Sequence, residues 1–412
     1  MSRLRRPGQA AAWLALALVT LSCAGATSTP KTGDEAAAAP PADRQVMVTY
    51  PPGPPAVWAR TSADLAQNYG LRILYAWTMA SLGEQCVVFE VPAGRSAREL
   101  MNKLAADRRV GSVQTVETFS TLASQDPKGQ YTHLQHSYQA LRLEQAHRLA
   151  TGKGVRVAVV DTGVDFDHPD LRERVTVANN FVVDERESKF TTDIHGTAIA
   201  GLIAASDNEV GIVGVAPGAQ IFALKACWQQ PPSARTAVCN SYTLAKAVDF
   251  AIVKGAQVLN FSLGGPPDPL LGRLIGAALS KGIVVVAADG GPSRDFPASQ
   301  KGVIGIRGSE DRKGAAAAPA AARSQTAALA APAVDILTTI PKGSYDFFSG
   351  SSLAAAQVSG VAALLLQRDP NLTPTQIGEI IRKTARPLNP THVAQVDACA
   401  AVASVVGGGG CE

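Results

Sequence analysis

Five stretches, "VRVAVV", "QIFALKA", "VLNFSLG", "IVVVAA" and "VIGIRG", are nearly continuous apolar runs, not alternating ones. A strand that is apolar at every position has both faces covered. Helical stretches such as "TLAKAVDFAIVKGA" and "LLGRLIGAALSKG" lie between the runs. Strand-helix alternation of this kind predicts an α/β fold, a mostly parallel sheet with helices on both faces. In such sheets the chemistry gathers at the carboxyl ends of the strands. The composition supplies the filling: 46% of the 412 residues are hydrophobic but only 5% are aromatic, so the core is packed from small side chains. A net charge of +4, scattered along the chain, gives no basic patch for a nucleic acid partner.

The chain ahead of these runs is organised differently. Arg3, Arg5 and Arg6 precede "AAAWLALALVTL", a stretch too short for an ordinary membrane span, which reads as a secretory leader over residues 1–23. Two cleavage points fit. One, before Cys23, leaves a cysteine open to lipid anchoring; the other follows the small residues Ala24-Gly25-Ala26. The expected location is therefore outside the cytoplasm: periplasmic, extracellular or membrane-anchored. Residues 24–45, rich in Ala, Pro, Thr and Gly, read as a linker. Residues 46–120 then form a small unit. "VMVTY", "LRILYAW", "CVVFEV" and "VGSVQTVE" have strand character, and "SADLAQNYG" and "SARELMNKLAADRR" have helical character. The order βαββαβ is that of a small α+β ferredoxin-like domain. Residues 121–412 make the large domain.

Export permits disulfides. Cys227 and Cys239 flank one short loop and Cys399 and Cys411 another, the favoured pairing among the three that four cysteines allow. Cys86 is left as a buried small hydrophobe. No Cys/His spacing suggests zinc.

Three motifs carry chemistry. "VRVAVVDTGVD" runs a buried strand into Asp161, "DIHGTAIAGLIAAS" sets His195 at the head of a small-residue helix, and "FFSGSSLAAAQVSG" crowds serines at the head of another. A strand-end carboxylate orients an imidazole, and the imidazole takes a proton from a helix-start hydroxyl. On these motifs, in this order, the chain resembles the subtilisin-family serine peptidases, from about residue 135 to 405. The unit before it resembles the family's inhibitory propeptide. The resemblance implies Ser352 as nucleophile, His195 as general base and Asp161 as its partner. Ser349 and Ser351 are left to turn and capping roles. It also implies that Ser262, Leu263 and Gly264, in "LNFSLGG", offer a backbone edge to a peptide or protein substrate.

One position departs from the pattern. Where the family has an Asn that donates to the oxyanion, this chain reads "VVVAADGGPS", with Gly291 at that position and Asp289 beside the cleft. Ala356 and Gln357 replace a usual Pro and His, which drift explains. The resemblance further implies a structural calcium site, with side-chain oxygens from Asp170 and Asn208 and carbonyls from Ser206, Val210 and Ile212. No cofactor is needed for catalysis. The expected function is a secreted serine endopeptidase with weakened oxyanion stabilisation, released from its own propeptide by a cut in the loop-like "FSTLASQDPKGQ". The alternative is a catalytically impaired relative that binds peptides or proteins in the same cleft.

Overall fold

A computed structural model describes residues 44–121, 123–124, 135–182, 190–208, 210–230, 234–291, 294–310, 328–388, 393–407 and 411. The leader, Cys23 and nearly all of the linker lie outside these residues. Among the described residues, no helix is long and apolar enough to cross a membrane.

The first unit contains β1 (Gln45–Tyr50), α1 (Pro55–Tyr69), β2 (Arg72–Met79), β3 (Glu84–Glu90), α2 (Ala97–Ala105) and β4 (Ser112–Thr115). Its antiparallel strands lie in the order β2-β3-β1-β4, as the βαββαβ reading requires. Helix α1 stops at Gly70, which takes the left-handed conformation. The Ser96 side chain caps α2 by accepting from the Glu99 N–H. The two faces of the sheet do different work. Val46, Val48, Tyr50, Val87 and Phe89 pack against the unit's own helices. Met47, Met79, Cys86 and Val88 face the other way, into a cluster shared with the large unit.

Two short strands follow, β5 (Thr118–Thr121) and β6 (Ala123–Ser124). The large unit then runs through α3 (His136–Ala140), α4 (Leu143–Leu149), β7 (Arg156–Asp161), β8 (Val175–Asn180), α5 (Ile194–Ala204), β9 (Gln220–Lys225), β10 (Cys227–Gln229), β11 (Ala237–Asn240) and α6 (Ser241–Val253). It continues with β12 (Val258–Phe261), β13 (Leu263–Gly264), α7 (Pro269–Ser280), β14 (Val284–Ala288), β15 (Ile304–Gly308), β16 (Ala328–Ala331), β17 (Ile336–Ile340) and β18 (Ser344–Gly350). The last elements are α8 (Ser351–Arg368), α9 (Pro374–Thr384), β19 (Arg386–Leu388), β20 (Val393–Gln395) and α10 (Ala398–Val406).

Nine strands form the main sheet, in the order β19-β20-β16-β15-β14-β12-β7-β9-β8. Its pairings are parallel except that between β19 and β20. Both faces are covered, as the apolar runs predict. Val157 and Val159 of β7 join the cluster holding α5 and α8, while Ala158 and Val160 join the one holding α6 and α7. Helix α8 is buried from Ser352 to Leu366, and its run of small residues lets neighbours approach it from every side. Both expected disulfides are present, Cys227–Cys239 and Cys399–Cys411, and Cys86 is a buried free thiol. Burial first, then nearby Asp268 and Glu84, pushes that thiol's pKa well up, so it stays protonated and inert.

Candidate active site

The carboxyl end of β7 delivers Asp161, and α5, which comes after β8 in the chain, carries His195 as its second residue. The His195 Nδ1–H donates to Asp161 Oδ1 at 2.7 Å, and the same oxygen accepts the Thr162 N–H at 2.7 Å. Because a carboxylate only accepts, the proton sits on Nδ1 and leaves Nε2 as a lone-pair acceptor. Nε2 is buried and has no hydrogen-bond partner among the described residues. Ser352, in the first turn of α8, is also wholly buried. Its Oγ–H donates to the Ser262 carbonyl at 2.9 Å, while Ser262 Oγ donates back to the Ser352 carbonyl at 2.9 Å. Asn260 and Ser359 extend this network behind the nucleophile position. Asp161 thus ends β7 of the main sheet, while His195 and Ser352 lie in the first turns of α5 and α8, two helices of one buried cluster.

Sequence reasoning misplaced the other serines. The cap of α8 is Gly350, and no side chain caps the helix. Ser349 instead lies in β18 and accepts from the Asp335 N–H at 3.0 Å. The first turn of α8 therefore keeps N–H groups that no side chain at the cap satisfies, as an anion-binding helix start needs.

The loop-like reading of residues 119–130 is also corrected at its start. Strand β5 lies between β11 and β13, antiparallel to both, with Ser120 opposite Val238 on one side and Gly264 on the other. Strand β6 pairs with β18, Ala123 opposite Gly350 and Ser124 opposite Ser349. The chain leaving the first unit therefore adds a strand to the Leu263–Gly264 edge and next pairs with the strand leading into Ser352. Polar residues without periodicity gave no strand signal here; the free edges of the large unit impose the strand. Phe119 is wholly buried and packs towards Phe296. Gly265 makes room for it: a Cβ there would come 2.5 Å from the Phe119 ring.

The first unit is anchored above this strand. Asp249 of α6 accepts from the Ala80 N–H at 3.1 Å and the Ser81 N–H at 2.8 Å. Gln114 of β4 donates to Asp268 and accepts from the Leu270 N–H, both at 2.9 Å, at the head of α7. Tyr75 stacks on Tyr242, with Trp77 edge-on to the same ring.

Behind the histidine lies a pair that the sequence reading missed. Asp193, which caps α5, meets Lys225 Nζ at 2.5 Å, and both side chains are essentially inaccessible. The Gly163 N–H also donates to Asp193, at 2.8 Å. Lys225 stands directly opposite Asp161 in the β7–β9 register. Breaking such a pair strands a buried charge, at a typical cost of about 3–5 kcal/mol, so it holds the helix start that carries His195. The signal was present as a lysine ending an apolar run.

Gly291 follows β14 with φ of +84°, and no atom of the described residues lies within 4 Å of the Cβ position. The carboxylate of Asp289, which the sequence places beside the cleft, is engaged by its neighbours. Arg307 Nε meets its carboxylate at 2.5 Å and the Gly291 N–H donates to it at 2.9 Å. Of the expected metal ligands, Asp170 is wholly buried, and its carbonyl accepts from the Ser206 N–H at 2.9 Å. Its carboxylate accepts from the Ile212 N–H and the Tyr345 hydroxyl, both at 3.1 Å, and Asn208 Nδ2 approaches at 3.5 Å. Burial, then the Asp170 charge, pushes the Tyr345 phenol up to about 12, so it remains a donor. Asp165 and His168 serve the surrounding turns.

A parallel α/β unit with an Asp–His pair and a buried helix-start serine defines a class, and comparison with known proteins gives the family. Residues 152–398 match the profile of the subtilase family of peptidases, S8. Subtilisin E of Bacillus subtilis strain 168 is 34% identical over 243 residues, which cover 57% of this chain and 61% of subtilisin E. Subtilisin BL of Lederbergia lenta is 34% identical over 254 residues, 60% of this chain and 89% of that one. Among solved structures, fervidolysin from Fervidobacterium pennivorans, a keratinolytic enzyme related to subtilisin, superposes with a TM-score of 0.67 at 25% identity. That match covers 87% of this chain and 60% of fervidolysin. The chain belongs to the subtilase family. It spans about three fifths of the length of subtilisin E.

Proposed function

We propose that the chain is an exported serine endopeptidase that carries its own inhibitor. The observation that carries this reading is the path of residues 118–124, paired with β13 before Ser352 and with β18 after it. A polypeptide held on both sides of a helix-start serine is held as a substrate is. Thr121 stands opposite Leu263. Ala123 is opposite Gly350, and in this reading the cut falls between the two pairings, at the Leu122–Ala123 bond of the sequence. Leu122 itself lies outside the described residues.

In this reading Ser352 Oγ attacks the carbonyl carbon while His195 Nε2 takes the hydroxyl proton. Asp161 fixes the tautomer and stabilises the imidazolium. The N–H of Ser352, at the head of α8, donates to the developing oxyanion. His195 then returns the proton to the leaving amine, and water hydrolyses the acyl-enzyme. Residues 46–122 act as the inhibitory propeptide, seated through Asp249, Gln114 and Phe119. The leader over residues 1–23 directs export, with or without a lipid anchor at Cys23. A synthetic peptide of sequence TFSTLASQ is expected to be cut between Leu and Ala. Cutting at another bond contradicts the register, and no cutting by folded, matured protein contradicts the peptidase reading.

A buried carboxylate at Asp170, with the Asn208 amide oxygen and the carbonyls of Ser206, Val210 and Ile212 expected from the family resemblance, would be an all-oxygen donor set of the kind calcium takes. The ion would act structurally, by pinning the 206–212 loop. Chelation is expected to lower the melting temperature of wild-type protein by several degrees and that of an Asp170→Ala variant by much less. Equal shifts in both would remove calcium from this site.

A further inference from the structure

The polypeptide in the cleft is gripped on two edges that are not equally secure. Strand β13 continues directly from β12 of the central sheet, whereas β11 belongs to the β10–β11 hairpin at the edge of a small sheet. Cys227 and Cys239 face each other in that hairpin and are bonded, which fixes its own register. Two further contacts fix where it stands. Gln229 Oε1 accepts from the Ile194 N–H at 2.5 Å, against the residue before His195. Arg235, just ahead of β11, reaches β18, the strand that leads into Ser352. Its Nη1 donates to the Phe347 carbonyl at 3.0 Å, its Nη2 pairs with the Asp346 carboxylate, and its guanidinium lies over the Phe348 ring, 4.6 Å from the centroid. One side chain thus uses charge, a backbone acceptor and an aromatic face together, a combination that a planar guanidinium makes and an ammonium does not.

We propose that Arg235 is a substrate-positioning residue: it clamps the β10–β11 hairpin onto β18 so that β11 is held ready to pair with the outer edge of a polypeptide in the cleft. It touches no reacting atom. It sets the grip on residues several positions ahead of the cut, where Ser120 meets Val238 and Thr118 meets Asn240. Substrates long enough to reach β11 feel the clamp, and short ones do not. In its kinetic part this inference rests on the peptidase reading, so its test has one arm that needs no catalysis.

In the full chain carrying Ser352→Ala, amide hydrogen exchange is followed with and without Arg235→Ala. The amides of Thr118–Thr121 are expected to exchange about tenfold faster or more in the Arg235→Ala protein, with β1–β4 unchanged as an internal reference. Arg235→Lys, which keeps the charge but not the fork, is expected to fall between the two. Unchanged exchange over Thr118–Thr121 overturns the clamp. In the second arm, matured enzyme is assayed on a long peptide, TFSTLASQ, and a short one, TLASQ. Arg235→Ala is expected to raise KM for the long peptide about tenfold with kcat kept, and to leave the short one alone. A fall in kcat at constant KM overturns the clamp. Absence of turnover in protein that keeps Arg235 defeats the peptidase reading, and the exchange arm then decides the clamp alone.

Discussion

Replacing Ser352 with Ala is expected to lower kcat on TFSTLASQ by roughly a millionfold, the size found for the corresponding change in subtilisin, a relative of this chain. The reason is the division of labour in the site. The Ser352 hydroxyl is the sole reacting oxygen that the account assigns to the protein, while His195 and Asp161 act on its proton. Removing His195 as well is therefore expected to add little to the loss, because the groups work as a unit. The substitution deletes one buried oxygen whose hydrogen bond runs to the Ser262 carbonyl at 2.9 Å, so the α8 packing survives it. Kinetics and a melting curve on the same sample check both halves. A loss of only a few-fold in a protein that melts normally would mean that another group supplies the nucleophile.

Gly291→Asn is expected to act in the opposite direction and raise kcat by about a hundredfold. The magnitude is that of one oxyanion donor in subtilisin, about 10²–10³. The described residues leave space for the change, since none of their atoms lies within 4 Å of the Cβ position. The backbone there, at φ of +84°, disfavours most side chains, but asparagine is among those that adopt left-handed conformations. Asp289 does not cancel the gain, because Arg307 and the Gly291 N–H hold its carboxylate. A rise in kcat at nearly constant KM is the outcome that marks a donor acting on the transition state. If kcat does not move, Gly291 does not stand at the oxyanion position. If the unsubstituted protein binds TFSTLASQ without cutting it and Gly291→Asn starts the cutting, the chain is a binder disabled at this one residue.

The parts of this architecture legible in the sequence are those in which each residue's local preference agrees with its final place. The runs around Val157–Val160 and Val284–Ala287 are apolar throughout because both faces are buried, and they form strands as read. The βαββαβ unit carries its own caps, Ser96 and Gly70, so its order and strand pairing follow from local signals. Asp161 and His195 are separated in sequence but sit at the ends of well-signalled elements, and they meet at 2.7 Å. The illegible parts depend on partners remote in the chain. Nothing in "TFST" marks a strand; it becomes one between β11 and β13. Arg235 and Lys225 are ordinary basic residues until the fold brings Asp346 and Asp193 to them. Ser349 and Ser351 looked like capping residues because serine caps helices well, but Gly350 takes the cap as β18 turns directly into α8.

The central claim, that residues 118–124 lie in the cleft as a substrate of Ser352, is tested most directly by the intact mass and N-terminal residue of purified protein beside its Ser352→Ala variant. The account predicts a wild-type chain whose large unit begins at Ala123 and a variant in which the Leu122–Ala123 bond is whole. A folded wild-type protein that keeps this bond, or a variant cut at it as readily as the wild type, would contradict the account.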